Sequence, residues 1–118
     1  MKAKFVEKDW GHEIWMANNE KENYCGKILK INQGYNSSMH FHLDKHETFY
    51  ILEGSLQVNF IDTLEGIKVT RVLNEGETME IKRGKPHQLI AYDGDVTFIE
   101  TSTFHKDSDS YRVYRDCK

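Results

Sequence analysis

Along this 118-residue chain, apolar residues recur in short runs, many alternating with polar neighbours, and no window keeps a helical period beyond about ten residues. That pattern predicts strands over residues 13–16, 24–31, 38–42, 47–52, 56–61, 67–73, 78–81, 87–91 and 96–102. Between them stand Asn32-Gln33-Gly34, Glu53-Gly54, Glu65-Gly66, Asn74-Glu75-Gly76, Arg83-Gly84 and Asp93-Gly94-Asp95, where glycine supplies a positive φ that other residues resist. Many short strands with such turns favour a sandwich or a closed barrel. The single proline, Pro86, falls in a turn before a strand and leaves this reading intact.

At this length one hydrophobic core is expected, because a second would be too small to be stable. Apolar residues make up 38% and charged residues 30%, and no apolar run is long enough to cross a bilayer as a helix. The first ten residues mix Lys2, Lys4, Glu7, Lys8 and Asp9 with few apolar ones, unlike a secretory leader, so the expectation is a cytoplasmic protein without a membrane partner. A net charge of −3 with scattered signs gives no electrostatic reason to expect nucleic acid. Cys25 and Cys117, far apart in such a compartment, are expected as free thiols. Residues 105–118 form a polar tail, expected outside the main fold and covering an edge.

Six histidines in so short a chain change the picture. His40 and His42 stand at i and i+2, which on a strand puts both on one face with Cα atoms about 6.5 Å apart, close enough for two imidazoles to meet one metal ion. Phe41 then points to the opposite face. Glu47 opens the next apolar run, and an ion would offset the cost of burying its carboxylate. A further ligand has to come from elsewhere, and His87, at the mouth of a later strand, is placed to reach across. His46 has the parity opposite to Glu47 and should point away, while Phe49 and Ile51 share Glu47's parity and should line the interior. His12 and His105 receive no role, and Tyr24, Tyr35, Tyr50 and Tyr92 are expected in packing.

The spacing G-x5-H-x-H-x4-E-x6-G, met by Gly34, His40, His42, Glu47 and Gly54, resembles the first motif of the cupin superfamily. Gly76, Gly84 and His87 resemble its second motif, although Lys82 and Ala91 stand where that motif has proline and asparagine. The resemblance covers about residues 26–102. It implies an all-β, single-domain jelly-roll β-barrel with an arm over residues 1–25 and the polar tail from 103. It also implies one divalent metal ion (zinc, manganese, iron or nickel) on His40, His42, Glu47 and His87, and a homodimer, since many cupins are dimeric.

The flanking segments Trp10-Gly-His-Glu-Ile-Trp15, Tyr24-Cys-Gly-Lys-Ile-Leu29, Ile99-Glu-Thr-Ser-Thr-Phe-His105 and Asp109-Ser-Tyr-Arg112 look more particularly like cupin domains of the mannose-6-phosphate isomerase type. That likeness implies a sugar-related small-molecule substrate, a metal that polarises the sugar carbonyl, and a base that moves a proton between adjacent carbons. Glu100, interrupting an apolar strand, is the first candidate base and Glu47 the second; Lys27, Lys30 and Arg112 are candidates for holding an anionic group. Oxygen chemistry at ferrous iron in an apolar pocket, and a non-catalytic sugar-binding or sensory module, are the competing readings of the same ligands.

Overall fold

The structure, a computed structural model, describes residues 1–114; Cys117 lies outside the described residues. Strands form over β1 (Lys4–Lys8), β2 (Gly11–Asn19), β3 (Tyr24–Ile31), β4 (Met39–Phe41), β5 (Glu47–Glu53), β6 (Leu56–Asp62), β7 (Ile67–Leu73), β8 (Thr78–Ile81), β9 (His87–Ile90), β10 (Val96–Ser102) and β11 (Tyr111–Tyr114), with a 3-10 turn at Asp107–Asp109. They build two antiparallel sheets in the orders β1-β2-β3-β10-β5-β8 and β11-β4-β9-β6-β7. The two sheets form a jelly-roll sandwich; they do not close into the expected barrel, because among the described residues no strand continues the hydrogen-bond ladder from one sheet into the other.

Period-two alternation decides which side chains lie between the sheets. In β3 the buried positions are Cys25, Lys27, Leu29 and Ile31, in β5 they are Glu47, Phe49 and Ile51, and in β10 Val96, Phe98 and Glu100. The register sets these in layers: Val96 opposite Ile31, Phe98 between Leu29 and Ile51, Glu100 between Lys27 and Phe49. Each inward face therefore runs from aliphatic at one end of the sandwich to ionisable at the other. The apolar end joins Leu56, Val58, Leu89 and Ala91 of the facing sheet in one core. The ionisable end holds the site.

Gly54 turns the β5–β6 hairpin with φ 82°, and a Cβ there would collide with the carbonyl oxygen of Asp95. Two edge strands, β1 and β11, carry no readable alternation, since edge positions face water and need no apolar period. The C-terminal segment is not outside the fold: β11 pairs with β4 and extends the smaller sheet. The four tyrosines expected in packing, Tyr24, Tyr35, Tyr50 and Tyr92, are exposed. No described helix is long and apolar enough to cross a membrane.

Candidate metal centre

β4 and β9 are neighbours, and their register places His40 opposite His87. His42 follows two residues on from His40, so ring nitrogens of all three lie within 4.8 Å of one another. Each imidazole is oriented by the backbone: Nδ1–H of His40 donates to the Ser38 carbonyl at 2.9 Å, that of His42 to Asp109 at 3.0 Å, and that of His87 to Lys85 at 2.9 Å. A carbonyl only accepts, so in all three rings Nδ1 carries a proton, and the neutral form of each ring keeps its lone pair on Nε2. Burial, followed by the nearby His87, lowers the pKa of His40 from an ordinary 6.5 to about 3, and burial lowers that of His42 as well. These two rings are neutral at pH 7 and available as ligands.

Glu47 Oε2 lies 3.2 Å from His87 Nε2 and 3.6 Å from His42 Nε2. With Nδ1 protonated, the neutral His42 ring offers Glu47 a lone pair and no donor. Glu47 Oε2 is a buried oxygen without a hydrogen-bond partner. Such an arrangement is costly unless a cation stands among the acceptors. The donor set, three imidazoles and one carboxylate with second-nitrogen hydrogen bonds that fix the rings, fits a divalent transition metal.

Behind Glu47 lies a buried lysine. Lys45 Nζ donates to Glu100 Oε2 at 2.9 Å and to His105 Nδ1 at 3.0 Å, and stands 3.6 Å from Glu47 Oε1. Burial alone would drive Lys45 neutral, but Glu100 and Glu47 outweigh it and raise its pKa further above the lysine range. Burial raises the pKa of Glu100, repulsion from Glu47 adds to this, and Lys45 and Lys27 only partly offset it. Burial opposes ionisation of Glu47 too, while the Lys45 ammonium, 3.6 Å from Oε1, favours its ionised form. His105, lowered to about 4 chiefly by burial and then by Lys45 and Lys27, passes its Nε2–H to Asp107 at 2.8 Å. Beside it Glu13 accepts from Trp15 Nε1 at 2.8 Å and from Lys27 Nζ at 3.4 Å, and Lys27 sits 4.3 Å above the Trp15 ring. All of these residues except Trp15 line one cavity of about 880 Å³.

The family model for the cupin domain matches residues 27–102. The chain belongs to the cupin family. At the level of sequence no curated protein matches this cupin. Among solved structures it is similar to the capsular polysaccharide assembling protein CapF from Staphylococcus aureus, with TM-score 0.82 and 17% identity over 95% of this chain and 34% of that one. It is also similar to oxalate decarboxylase from Bacillus subtilis, with TM-score 0.81 and 17% identity over 94% of this chain and 30% of that one. The cupin thus spans about a third of the length of the structures it matches, and the likeness is one of fold.

Of the residues singled out in the sequence, the cupin brings His40, His42, His87, Glu47, Glu100, Lys27 and Arg112 to the cavity. Lys30 is not brought there. Its place in β3 is one residue out of phase with Lys27 and Leu29, and it pairs with Asp95 at 3.7 Å on the outer side. His46 points away and bonds Glu80, as its parity predicts, and Phe41 stacks on Tyr111. Lys45, Glu13 and His105 were not foreseen as site residues. Lys45 and Glu13 carried a signal: each has the parity of an inward-facing neighbour, Glu47 for the first and Trp15 for the second. His105 lies beyond the last inward-facing strand, and only the fold returns it to the cavity.

Proposed function

We propose that this cupin is a metal-dependent isomerase or epimerase acting on a sugar or sugar phosphate. The observation that carries the reading is the buried Glu100–Lys45 pair beside the three-histidine centre, in one cavity lined mainly by charged and hydrogen-bonding groups. About 880 Å³ is within the range of roughly 300–1,000 Å³ typical of small-ligand sites. Polyhydroxylated substrates match such a lining, whereas oxygen chemistry on an apolar substrate would not use it. The fold likeness to CapF, described as a capsular polysaccharide assembling protein, supports carbohydrate chemistry.

His40, His42, His87 and Glu47 would hold the ion, which supplies polarisation of a substrate carbonyl. The N3O donor set accepts zinc, manganese, iron or nickel. Glu100 removes the proton from the carbon beside that carbonyl; its raised pKa suits a group that must take a proton and give it back. Lys45 holds Oε2 and offsets the carboxylate charge, so Oε1 is the oxygen that carries the proton to the adjacent carbon. As the hydroxyl proton moves to the former carbonyl oxygen, aldose and ketose interchange with no net gain or loss of atoms. Lys27 and Arg112, both on the cavity wall, are the cations for an anionic substituent.

The test is aldose–ketose interconversion by metal-loaded protein across free and phosphorylated sugars. Glu100→Gln should lower turnover roughly 10²–10⁴-fold while leaving metal content unchanged. Absence of turnover by the unsubstituted protein across that panel overturns the reading.

A further inference from the structure

His105 follows the last inward-facing strand, yet contacts with distant parts of the chain fix its ring on the cavity wall. Asn18 of β2 clamps its backbone from both sides: Oδ1 accepts the His105 N–H at 2.8 Å, and Nδ2 donates to the His105 carbonyl at 3.0 Å. The N–H of the preceding Phe104 donates to Asn23 Oδ1 at 3.0 Å. The ring itself makes a T-shaped contact with Trp15, the centroids 5.1 Å apart. Its two nitrogens then face opposite surroundings. Nδ1 meets the ammonium of Lys45, whose side chain is 4% exposed, and Nε2 meets the carboxylate of Asp107, which is 87% exposed.

These partners leave the ring one tautomer. An ammonium only donates, so Nδ1 has to accept from Lys45; a carboxylate only accepts, so Nε2 carries the proton shared with Asp107. His40, His42 and His87 are the reverse, each donating from Nδ1. Lys45 depends on this arrangement, because a buried ammonium has three N–H bonds to satisfy. One goes to Glu100 Oε2 at 2.9 Å, whereas Glu47 Oε1, at 3.6 Å, is a charge partner beyond hydrogen-bond range. A carboxylate in place of His105 would add negative charge to a site that already sets two carboxylates around one ammonium. A neutral imidazole accepts the hydrogen bond without adding charge.

We propose that His105 and Asp107 are a positioning pair that holds Lys45 on Glu100 and off Glu47. The proposal rests on the reading of Glu100 as the base of the reaction. Asp107 fixes the tautomer, His105 Nδ1 takes one N–H of Lys45, and the ammonium is thereby kept at its short bond to Glu100 Oε2. Without that acceptor, a displacement of about 1 Å toward Glu47 Oε1 would bring Lys45 into hydrogen-bond range of it. One lysine would then be divided between the base and a candidate metal ligand: Glu100 would lose the contact that fixes Oε2, and Glu47 would offer the ion less charge. The pair acts by orientation, and no proton has to travel along the chain of hydrogen bonds from Asp107 to Glu100.

NMR of zinc-loaded protein, isotope-labelled at histidine and lysine nitrogen, tests this without substrate. Ring-nitrogen shifts should show His105, identified as the signal lost in His105→Phe, as a fixed Nε2–H tautomer, and Lys45 as an ammonium whose protons exchange slowly with water. Asp107→Ala, at an exposed position that does not endanger the fold, should mix the tautomers and speed that exchange roughly 10-fold. Asp107→Asn keeps an accepting oxygen but no charge and should restore both signals, which a role of surface charge alone would not allow. In turnover, His105→Phe should lower kcat roughly 10–100-fold with KM little changed, and His105→Gln, whose side-chain oxygen can accept from Lys45, should recover part of the loss. An Nδ1–H tautomer at His105 in the unsubstituted chain overturns the proposal, as do Lys45 signals unmoved by both His105→Phe and Asp107→Ala, or an unchanged kcat in His105→Phe. Absence of turnover by the unsubstituted protein overturns the isomerase reading instead, and the NMR outcome tells the two failures apart.

Discussion

Asp109 governs a stretch of chain 64 to 67 residues away in sequence. Its carboxylate accepts the backbone N–H groups of Leu43, Asp44 and Lys45, and its own carbonyl accepts Nδ1–H of His42. One residue thus fixes both the loop that aims Lys45 at Glu100 and the ring of a candidate metal ligand. Replacing Asp109 with Ala leaves three backbone donors unpaired. Chemical denaturation should show a loss of about 1–3 kcal/mol, and metal titration an affinity lowered roughly tenfold or more. Asp109→Asn, which keeps one acceptor oxygen, should recover much of both. Nothing in the sequence points to this role, since an aspartate in a polar tail reads as solvated. His40, His42 and Glu47 are legible because their geometry is local to one strand and the next; Lys45, equally close, is obscured because a lysine in a polar loop reads as exposed.

Strands that bury one face announce themselves. β3, β5, β6, β8 and β10 keep their alternation or apolar run and lie where the pattern puts them to within a residue, and the mostly exposed edge strand β7 is read from its apolar run as well, whereas β2 runs well past the predicted 13–16 at both ends. Its bulge between Trp15 and Ala17 breaks the period of two and hides the continuation. β1 and β11 are read only from their partners. Turns are legible where glycine is required by geometry, and Gly54 is the clearest: its φ of 82° and the Asp95 carbonyl against it leave no room for a side chain. Gly54→Ala should therefore destabilise the fold by about 1–3 kcal/mol, read as a lowered denaturant midpoint with an unchanged slope. Gly34→Ala, also at positive φ but with open space around it, should cost less.

At the scale of the whole molecule, the two ends of the sandwich respond to different conditions. The apolar end is indifferent to pH, while the ionisable end concentrates imidazoles whose proton affinity falls on folding. His40 goes from an ordinary 6.5 to about 3 and His105 to about 4, with His42 shifted the same way. Between those values and 6.5 the unfolded chain binds protons that the folded chain refuses. Stability is therefore full above about pH 6.5 and lost as pH falls, by on the order of 1 kcal/mol per pH unit for each such histidine. Glu13, Asp107 and Asp109, all with lowered pKa, extend the loss further into acid; Glu100, with raised pKa, opposes it in part. A bound divalent ion adds stability at neutral pH by mass action and gives it up as protons compete for the same imidazoles. Calorimetry of metal-loaded and chelator-treated protein between pH 7.5 and 4 should show the loaded form melting higher at neutrality. Both Tm values should fall with pH, the loaded one more steeply, until the two curves merge; a separation that stays constant with pH would mean the metal is held by groups other than these histidines.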